Sequence, residues 1–272
     1  MWDAFESAMY ARVRPGEVDL PVRVPACINI HGSLKKLDFL GKRALIVGGS
    51  RGIGRGVVTD LVELGAEVFY ASRKSNDEEK NAKFIEVDLN NENEIIDLFK
   101  EIDQEGTIDI LVNTAAINFC KKIDEISVEE WEQVEQVNLR AAFIICQQAA
   151  IRMKKQKYGK IVNVSSIAGR HRSVVSGIHY VSTKAGLIGL TKQLAYELGS
   201  FNVNVNVVCP SQTMSDMLRE SMSSDEIEAL ARNIPLQRIA TIDEQVGPIL
   251  FLCSDLSSYM TGAVVDVNGG QI

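Results

Sequence analysis

Histidine is scarce in this chain. His31, His171 and His179 are the only three among 272 residues, and none stands at a metal-site spacing from another ligand type, so no metal is expected. Cysteine is odd in number and scattered: Cys27, Cys120, Cys146, Cys209 and Cys253 lie far apart, mostly in apolar runs. That usage fits reduced, buried thiols in a cytoplasmic protein and excludes a disulfide framework. Positive charge is also in deficit. With 29 basic and 36 acidic residues the formal charge is −7, whereas nucleic acid or an anionic membrane would call for clustered cations, so neither is expected as a partner. The opening "MWDAFESAMYARVRPG" holds Asp3 and Glu6 and no apolar stretch of signal or membrane length. A short amphipathic helix ending near Pro15 and Gly16 is predicted there. Residues 1–36 read as an N-terminal extension, either a plain surface arm or one covering a partner subunit or the active-site mouth. Residues 37–272 have the size of a single domain.

What the chain does have is alternation. Arg43 to Val47, "EVFYAS" (67–72), "KFIEVD" (83–88), "IDILVNTAA" (108–116), "KIVNVSS" (160–166), "VNVNVVCP" (203–210) and "AVVDVNG" (263–269) read as strands, with helical periodicity between them. The pattern predicts βαβ units: one α/β domain of Rossmann type, a doubly wound parallel sheet of about seven strands with helices on both faces. One long helix is predicted from "SVEEWEQVEQVNLRAAFIICQQAAIRMKKQ", opened by a capping box of Ser127 and Glu130. Gly48, Ser72, Asp88, Asn113, Ser166 and Pro210 all fall at strand C-terminal ends, where such sheets bind ligands.

The first strand runs into "GGSRGIG" (48–54) and then a helix pattern with Ile53, Val57, Val58 and Leu61 on one face. Glycines there let a ligand approach the backbone, and free N–H groups at a helix start attract anions, so a pyrophosphate suits the turn. Alone, the motif is a weak signal, compatible also with a tight βα connection. Tyr180 and Lys184 lie four apart in a predicted helix, on one face. A lysine cation held near a phenol favours phenolate and makes tyrosine a usable acid or base near neutrality. Alone, this pair is also compatible with an exposed helix surface.

Taken together and in order, "GGSRGIG", "VDL", "NTAAIN", "VNLRAAF", "NVSSIAG", "YVSTK", "VNVVCPSQTMSDM", "IPLQRIAT" and "FLCSDLSSYMTGAVVDVNGG" resemble the short-chain dehydrogenase/reductase family, over about Leu37 to Gly270. The likeness is greatest to the 3-oxoacyl-(acyl-carrier-protein) reductase branch. It implies an NAD(P)-dependent ketone reductase or alcohol dehydrogenase. Tyr180 would protonate the carbonyl oxygen, Ser166 would hydrogen-bond it, and Lys184 would bind the nicotinamide ribose and tune Tyr180. Asn138 would hold a water that relays protons to Lys184. Ser166 is preferred to Ser165 because the family's serine precedes x-x-Gly, here ending at Gly169. The spacing from Ser166 to Tyr180 is one residue longer than the family's, so the intervening loop is expected to bulge.

On the cofactor side the resemblance assigns Gly48, Ser50, Arg51, Ile53 and Gly54 to the phosphate turn, Asp88 and Leu89 to adenine, and Asn113 and Ala115 to the fourth strand's end. Pro210 and Thr213, after the sixth strand, complete the cofactor set with Tyr180 and Lys184. NAD-using relatives usually end the second strand in an acid, whereas this chain has Ser72 and Arg73, with Arg51 nearby in the turn. Two cations would meet a 2′-phosphate, so NADP(H) is expected over NAD(H). Val47, Thr114, Ala116, Ser211 and Ser215 depart from the family's usual residues, all on the cofactor side. These departures and the N-terminal extension keep open a second reading, a weak or inactive partner subunit of a heteromeric reductase. The expected substrate is a small or carrier-bound ketone. Lys157 lies near where carrier-binding relatives place a cation, while Phe201 stands in the region of a second expected arginine. In the loop "GRHRSVVSGIHY", Arg170 or Arg172 is expected to pair with an anionic substrate group. The family also implies a dimer or homotetramer packed through the helices bearing Asn138 and Tyr180 and through "VVDVNGGQI".

Overall fold

Strands that are apolar on both sides need cover on both faces. The computed structural model describes residues 37–75, 81–215, 218 and 223–272. The predicted N-terminal extension and its helix lie outside them. Among the described residues seven strands form one parallel sheet: β1 (Arg43–Val47), β2 (Glu67–Ser72), β3 (Ala82–Glu86), β4 (Ile110–Asn113), β5 (Gly159–Val164), β6 (Val203–Pro210) and β7 (Val264–Val267). Their order is β3-β2-β1-β4-β5-β6-β7, a doubly wound Rossmann-type sheet whose winding reverses between β1 and β4.

Successive residues along each strand face opposite layers. Leu45, Val47, Phe69 and Ala71 pack toward α2 (Glu92–Glu105) and α4 (Ala141–Gln156), with Leu98, Phe99, Ile145 and Ala149 beneath them. Ala44, Ile46, Val68 and Tyr70 pack the other way, onto Val57, Val58 and Leu61 of α1 (Gly52–Glu63) and Val246 and Ile249 of α7 (Ile242–Cys253). Helix α5 (Ile178–Leu198) lies along β6, and α6 is Ser224–Arg232.

The single helix predicted from Ser127 is instead two, α3 (Val128–Glu135) and α4, joined by a π-helical turn over Gln136–Arg140. The cause is Asn138, at the centre of that turn and buried. Its Oδ1 accepts from the Ile117 N–H and its Nδ2 donates to the Ile117 carbonyl, both at 2.8 Å. Wide turns of this kind insert a residue into a helix and concentrate at functional sites. The capping box also forms only by half: Ser127 accepts from the Glu130 N–H at 3.2 Å, but the Glu130 carboxylate turns away to Lys121. Cys146, Cys209 and Cys253 are buried as expected; Cys120 is exposed.

Candidate active site

Gly48 ends β1 in a left-handed conformation, φ 86°, that glycine alone adopts freely, and a Cβ there would lie 2.7 Å from Thr114 Oγ1 and 2.8 Å from Ala115 N. Gly54, one turn into α1, packs as closely: a Cβ would overlap the Gly48 carbonyl oxygen. The β1–α1 turn thus presses against the end of β4 with no room for side chains. Helix α1 begins with no side-chain cap on its N-terminal N–H groups and no acidic residue in its first turn, so its positive dipole end stays open to an anion. At the end of β4, Asn113 is buried and its Oδ1 has no hydrogen-bond partner. A close-fitting backbone cradle, an uncompensated helix start and an orphaned acceptor suit a dinucleotide phosphate and an amide-bearing ring.

The remaining cofactor candidates lie at the C-terminal ends of β2, β3 and β6, on the same edge of the sheet. Ser72 closes β2 with its hydroxyl donated to the Lys74 carbonyl at 2.6 Å, and Arg51 and Arg73 are exposed. Arg73, Glu86, Asp88 and Glu94 line a surface cavity of about 540 Å³. Asp88 is held in place by its N–H, which donates to Glu94 at 2.7 Å, while its carboxylate accepts from Asn90. Leu89 packs against the core and its carbonyl accepts from Gln136. Pro210 ends β6, and Thr213 pairs with Ala240 beyond it.

Ser166, Tyr180 and Lys184 meet past the end of β5. Ser165 faces the packing of α5, its hydroxyl donated to the Lys184 carbonyl at 2.8 Å, whereas Ser166 stands half-buried beside the Tyr180 phenol, its Oγ accepting from the Ala168 N–H at 3.1 Å. Burial raises the Tyr180 phenol above its ordinary value and the Ser166 bond pulls it back. Lys184 is fully buried, and burial lowers its ammonium to about 8. Its Nζ donates to the Val164 carbonyl at 2.7 Å and lies 5.6 Å from the Tyr180 ring centre. Lysine and tyrosine are therefore neighbours, as the spacing predicts, but the lysine's hydrogen bond goes to the backbone and the phenol is raised rather than lowered. Asn138 joins them through Thr183, whose hydroxyl accepts from Nδ2 at 3.3 Å and donates to the Tyr180 carbonyl at 2.9 Å.

The loop arginines separate. Arg170 is paired with Asp266 of β7 at 3.1 Å, so its guanidinium already has a carboxylate partner. Arg172 is exposed and carries no ion pair among the described residues. Near the end of this loop Asn118 Nδ2 donates to the Val175 carbonyl at 3.2 Å, and the Gly177 N–H donates to the Phe119 carbonyl at 3.0 Å. Asp266 was invisible as a partner because it lies 96 positions away on another strand; only its register opposite Cys209 brings it to the loop. Thr114, read from sequence as a bare departure, donates its hydroxyl to the Val47 carbonyl at 2.9 Å. A hydroxyl missing from β1 at Val47 is thus supplied from β4. His179, next to Tyr180, is buried against Glu130 and was not read as part of the site.

A glycine turn over an open helix start, at the point where a doubly wound parallel sheet reverses, defines a Rossmann-type dinucleotide-binding protein. A family model described as enoyl-(acyl carrier protein) reductase matches residues 47–271. The chain is 40% identical over 249 residues to the 3-oxoacyl-(acyl-carrier-protein) reductase FabG of Aquifex aeolicus, covering 87% of this chain and 99% of that protein. It is 36% identical over 244 residues to the enzyme of the same name from Staphylococcus epidermidis, covering 85% and 99%. A short-chain dehydrogenase of Leptospira borgpetersenii solved with bound NAD+ superposes with a TM-score of 0.82 at 30% identity, covering 89% of this chain and 97% of that one. The chain belongs to the short-chain dehydrogenase/reductase family, oxidoreductases that use a nicotinamide cofactor. Among the described residues no helix is long and apolar enough to cross a membrane.

Proposed function

We propose that this chain is an NADPH-dependent ketoreductase with Tyr180 as general acid. The observation that carries the reading is the meeting of Ser166, Tyr180 and Lys184 past the C-terminal end of β5, on the same edge of the parallel sheet as the glycine turn that follows β1. Gly48, Ser50, Ile53 and Gly54 would hold the pyrophosphate on their backbone, with Asn113 and Ala115 at the nicotinamide half and Lys184 at its ribose. When bound, the cofactor supplies a hydride to the carbonyl carbon. Ser166 and Tyr180 present two hydroxyls to the carbonyl oxygen, and Tyr180 gives it the proton that makes the alcohol. The Lys184 ammonium, 5.6 Å from the ring centre, steadies the phenolate left behind. Both Asn138 amide donors are taken by Ile117 and Thr183, so Asn138 acts by holding α5 against the 117 segment. The departures at Val47 and Thr114 exchange a hydroxyl between strands without opening the turn, which favours an active enzyme over an inactive partner subunit.

The choice of NADPH rests on the end of β2. Among the described residues β2 itself closes without a carboxylate, on Ala71 and Ser72, with Arg73 exposed after them and Arg51 exposed in the glycine turn; Glu86, Asp88 and Glu94 share the Arg73 cavity from β3 and beyond. Each charge-assisted contact to a 2′-phosphate contributes about 1.5–3 kcal/mol. Arg73→Ala should therefore raise the KM for NADPH roughly ten- to hundredfold and leave NADH turnover within about twofold. Steady-state assays with both cofactors check this, and a native preference for NADH would reject it.

The substrate class we propose is a ketone bearing an anionic group, small or carrier-linked. The curated relatives named above reduce 3-oxoacyl chains on a carrier protein, and this chain keeps an exposed Lys157 with Lys154 lying over the Phe201 ring at 4.5 Å, so cations do stand in that region. Arg172→Ala should cut kcat/KM for an acidic or carrier-linked ketone roughly tenfold or more while sparing a neutral ketone of equal size. Arg170→Ala, which breaks the tie to Asp266, should affect both substrates alike. Equal responses to Arg172→Ala would remove that arginine from substrate recognition.

A further inference from the structure

The helix that carries Tyr180 starts without the usual device. Its N-cap is Gly177, with no side chain to accept from the first-turn N–H groups, and no acidic residue lies in that turn. A cap would take the N–H of the second or third helical residue. Here the third is Tyr180, and its N–H donates to His179 Nδ1 at 2.8 Å. The imidazole thus folds back over its own helix start and stands in for the missing cap. Gly177 is what allows it, since a Cβ there would lie 2.5 Å from His179 Cε1 and 2.7 Å from the Phe119 carbonyl oxygen.

With Nδ1 accepting, a neutral ring carries its proton on Nε2. That nitrogen is buried and faces Glu130 Oε1 of α3 at 3.6 Å, and neither atom has a hydrogen-bond partner within ordinary reach. Lys121 binds the other Glu130 oxygen and, with a smaller contribution from His179, holds the carboxyl below its usual range, so the acceptor is an anion. The carboxylate therefore divides its two oxygens between partners outside its own helix, Oε2 to Lys121 and Oε1 toward the ring. His179 itself is wholly buried, with Phe119 packed on it at 6.1 Å between ring centres.

We infer that His179, oriented by Glu130, is a positioning residue for Tyr180: it caps the α5 start through Nδ1 and so fixes the backbone from which the phenol is presented to Ser166 and the substrate oxygen. This rests on Tyr180 being the general acid. A shift of about 1 Å in a reacting group costs up to roughly a hundredfold in rate. The effect belongs in turnover, because the cap fixes the backbone of Tyr180, whereas the glycine turn that would hold the cofactor lies on β1 and α1.

Three variants, His179→Leu, His179→Asn and Tyr180→Phe, test it in one series with the full chain. His179→Leu should lower kcat about ten- to hundredfold with KM and NADPH affinity within about twofold. His179→Asn, whose Oδ1 falls where Nδ1 was, should recover most of that loss. Hydrogen exchange at the Tyr180 amide should speed at least tenfold in His179→Leu and return toward the native rate in His179→Asn. In the native protein the His179 nitrogen resonances should report the Nε2–H tautomer, a readout that needs no variant to fold. Full turnover in His179→Leu alongside an inactive Tyr180→Phe would overturn the positioning role alone. An Nδ1–H tautomer, or no recovery in His179→Asn, would overturn it too. Full turnover in Tyr180→Phe would remove the acid assignment and this inference with it.

Discussion

Replacing Tyr180 by phenylalanine is expected to lower kcat by about 10²- to 10⁴-fold, the usual contribution of a placed general acid. Affinity for NADPH should stay within about twofold and the melting temperature within a few degrees. The ring is half-buried, and the phenylalanine ring fills the same space; only the hydroxyl is lost, together with its bond to Ser166. Burial holds the phenol protonated at neutrality in the absence of ligand, the form a proton donor requires. Lys184 has the opposite character. Burial drops it to about 8, so it is charged at pH 7 and loses charge as pH rises through that value. Turnover should then fall on the alkaline side of about 8, as the charge that steadies the phenolate is lost. A Tyr180→Phe variant with most of its native kcat would remove Tyr180 as the acid, and single-turnover reduction of a ketone is the measurement that decides it.

The second large effect is expected at Gly54. Alanine there would put a methyl carbon into the Gly48 carbonyl oxygen and 2.5 Å from Thr114 Oγ1. Both obstacles are fixed, one by the backbone of the turn and the other by its bond to the Val47 carbonyl. The turn must open by roughly 1 Å. Overpacking of this kind costs about 1–3 kcal/mol, which for a chain of this size lowers the melting temperature by roughly 2–12 °C. The larger consequence is for binding, since N–H groups moved off the pyrophosphate forfeit several charge-assisted bonds together, and NADPH affinity should drop at least about a hundredfold. Gly56→Ala separates the two effects. A Cβ at Gly56 meets only side-chain methyls of Ile242 and Val246, both 2.8 Å away, so that variant should lose stability and keep its affinity. Differential scanning with and without NADPH distinguishes these outcomes. Unchanged affinity in Gly54→Ala would show that the turn does not hold the phosphates.

The sheet was readable because its signal is local: short apolar runs at regular spacing, six of them ending in a residue suited to a ligand, predicted all seven strands to within a few residues. The motifs located Ser166, Tyr180 and Lys184 for the same reason, since two of them share a helix face and the third ends the adjoining strand. What escaped were features made by contacts across the chain. The π turn at Asn138 forms because one amide bonds both peptide groups of Ile117, 21 positions earlier; helix periodicity carries no trace of it. Glu130 satisfied a capping-box pattern, yet its carboxylate serves Lys121 and His179 instead. Arg170 looked free because Asp266 is distant in sequence. Similarly, Thr114 departs from the family's usual residue, and only the fold brings its hydroxyl back to the Val47 carbonyl of β1.

The central claim is tested most directly by supplying NADPH carrying deuterium at the transferable position of the nicotinamide, together with a panel of neutral, acidic and carrier-linked ketones and the corresponding enoyl compounds. Products are followed by mass spectrometry. The expected result is one labelled alcohol per NADPH consumed, the label on the former carbonyl carbon, from at least one ketone and abolished in Tyr180→Phe. Label appearing only in products of carbon–carbon double-bond reduction, or NADPH binding with no ketone reduced, would contradict it.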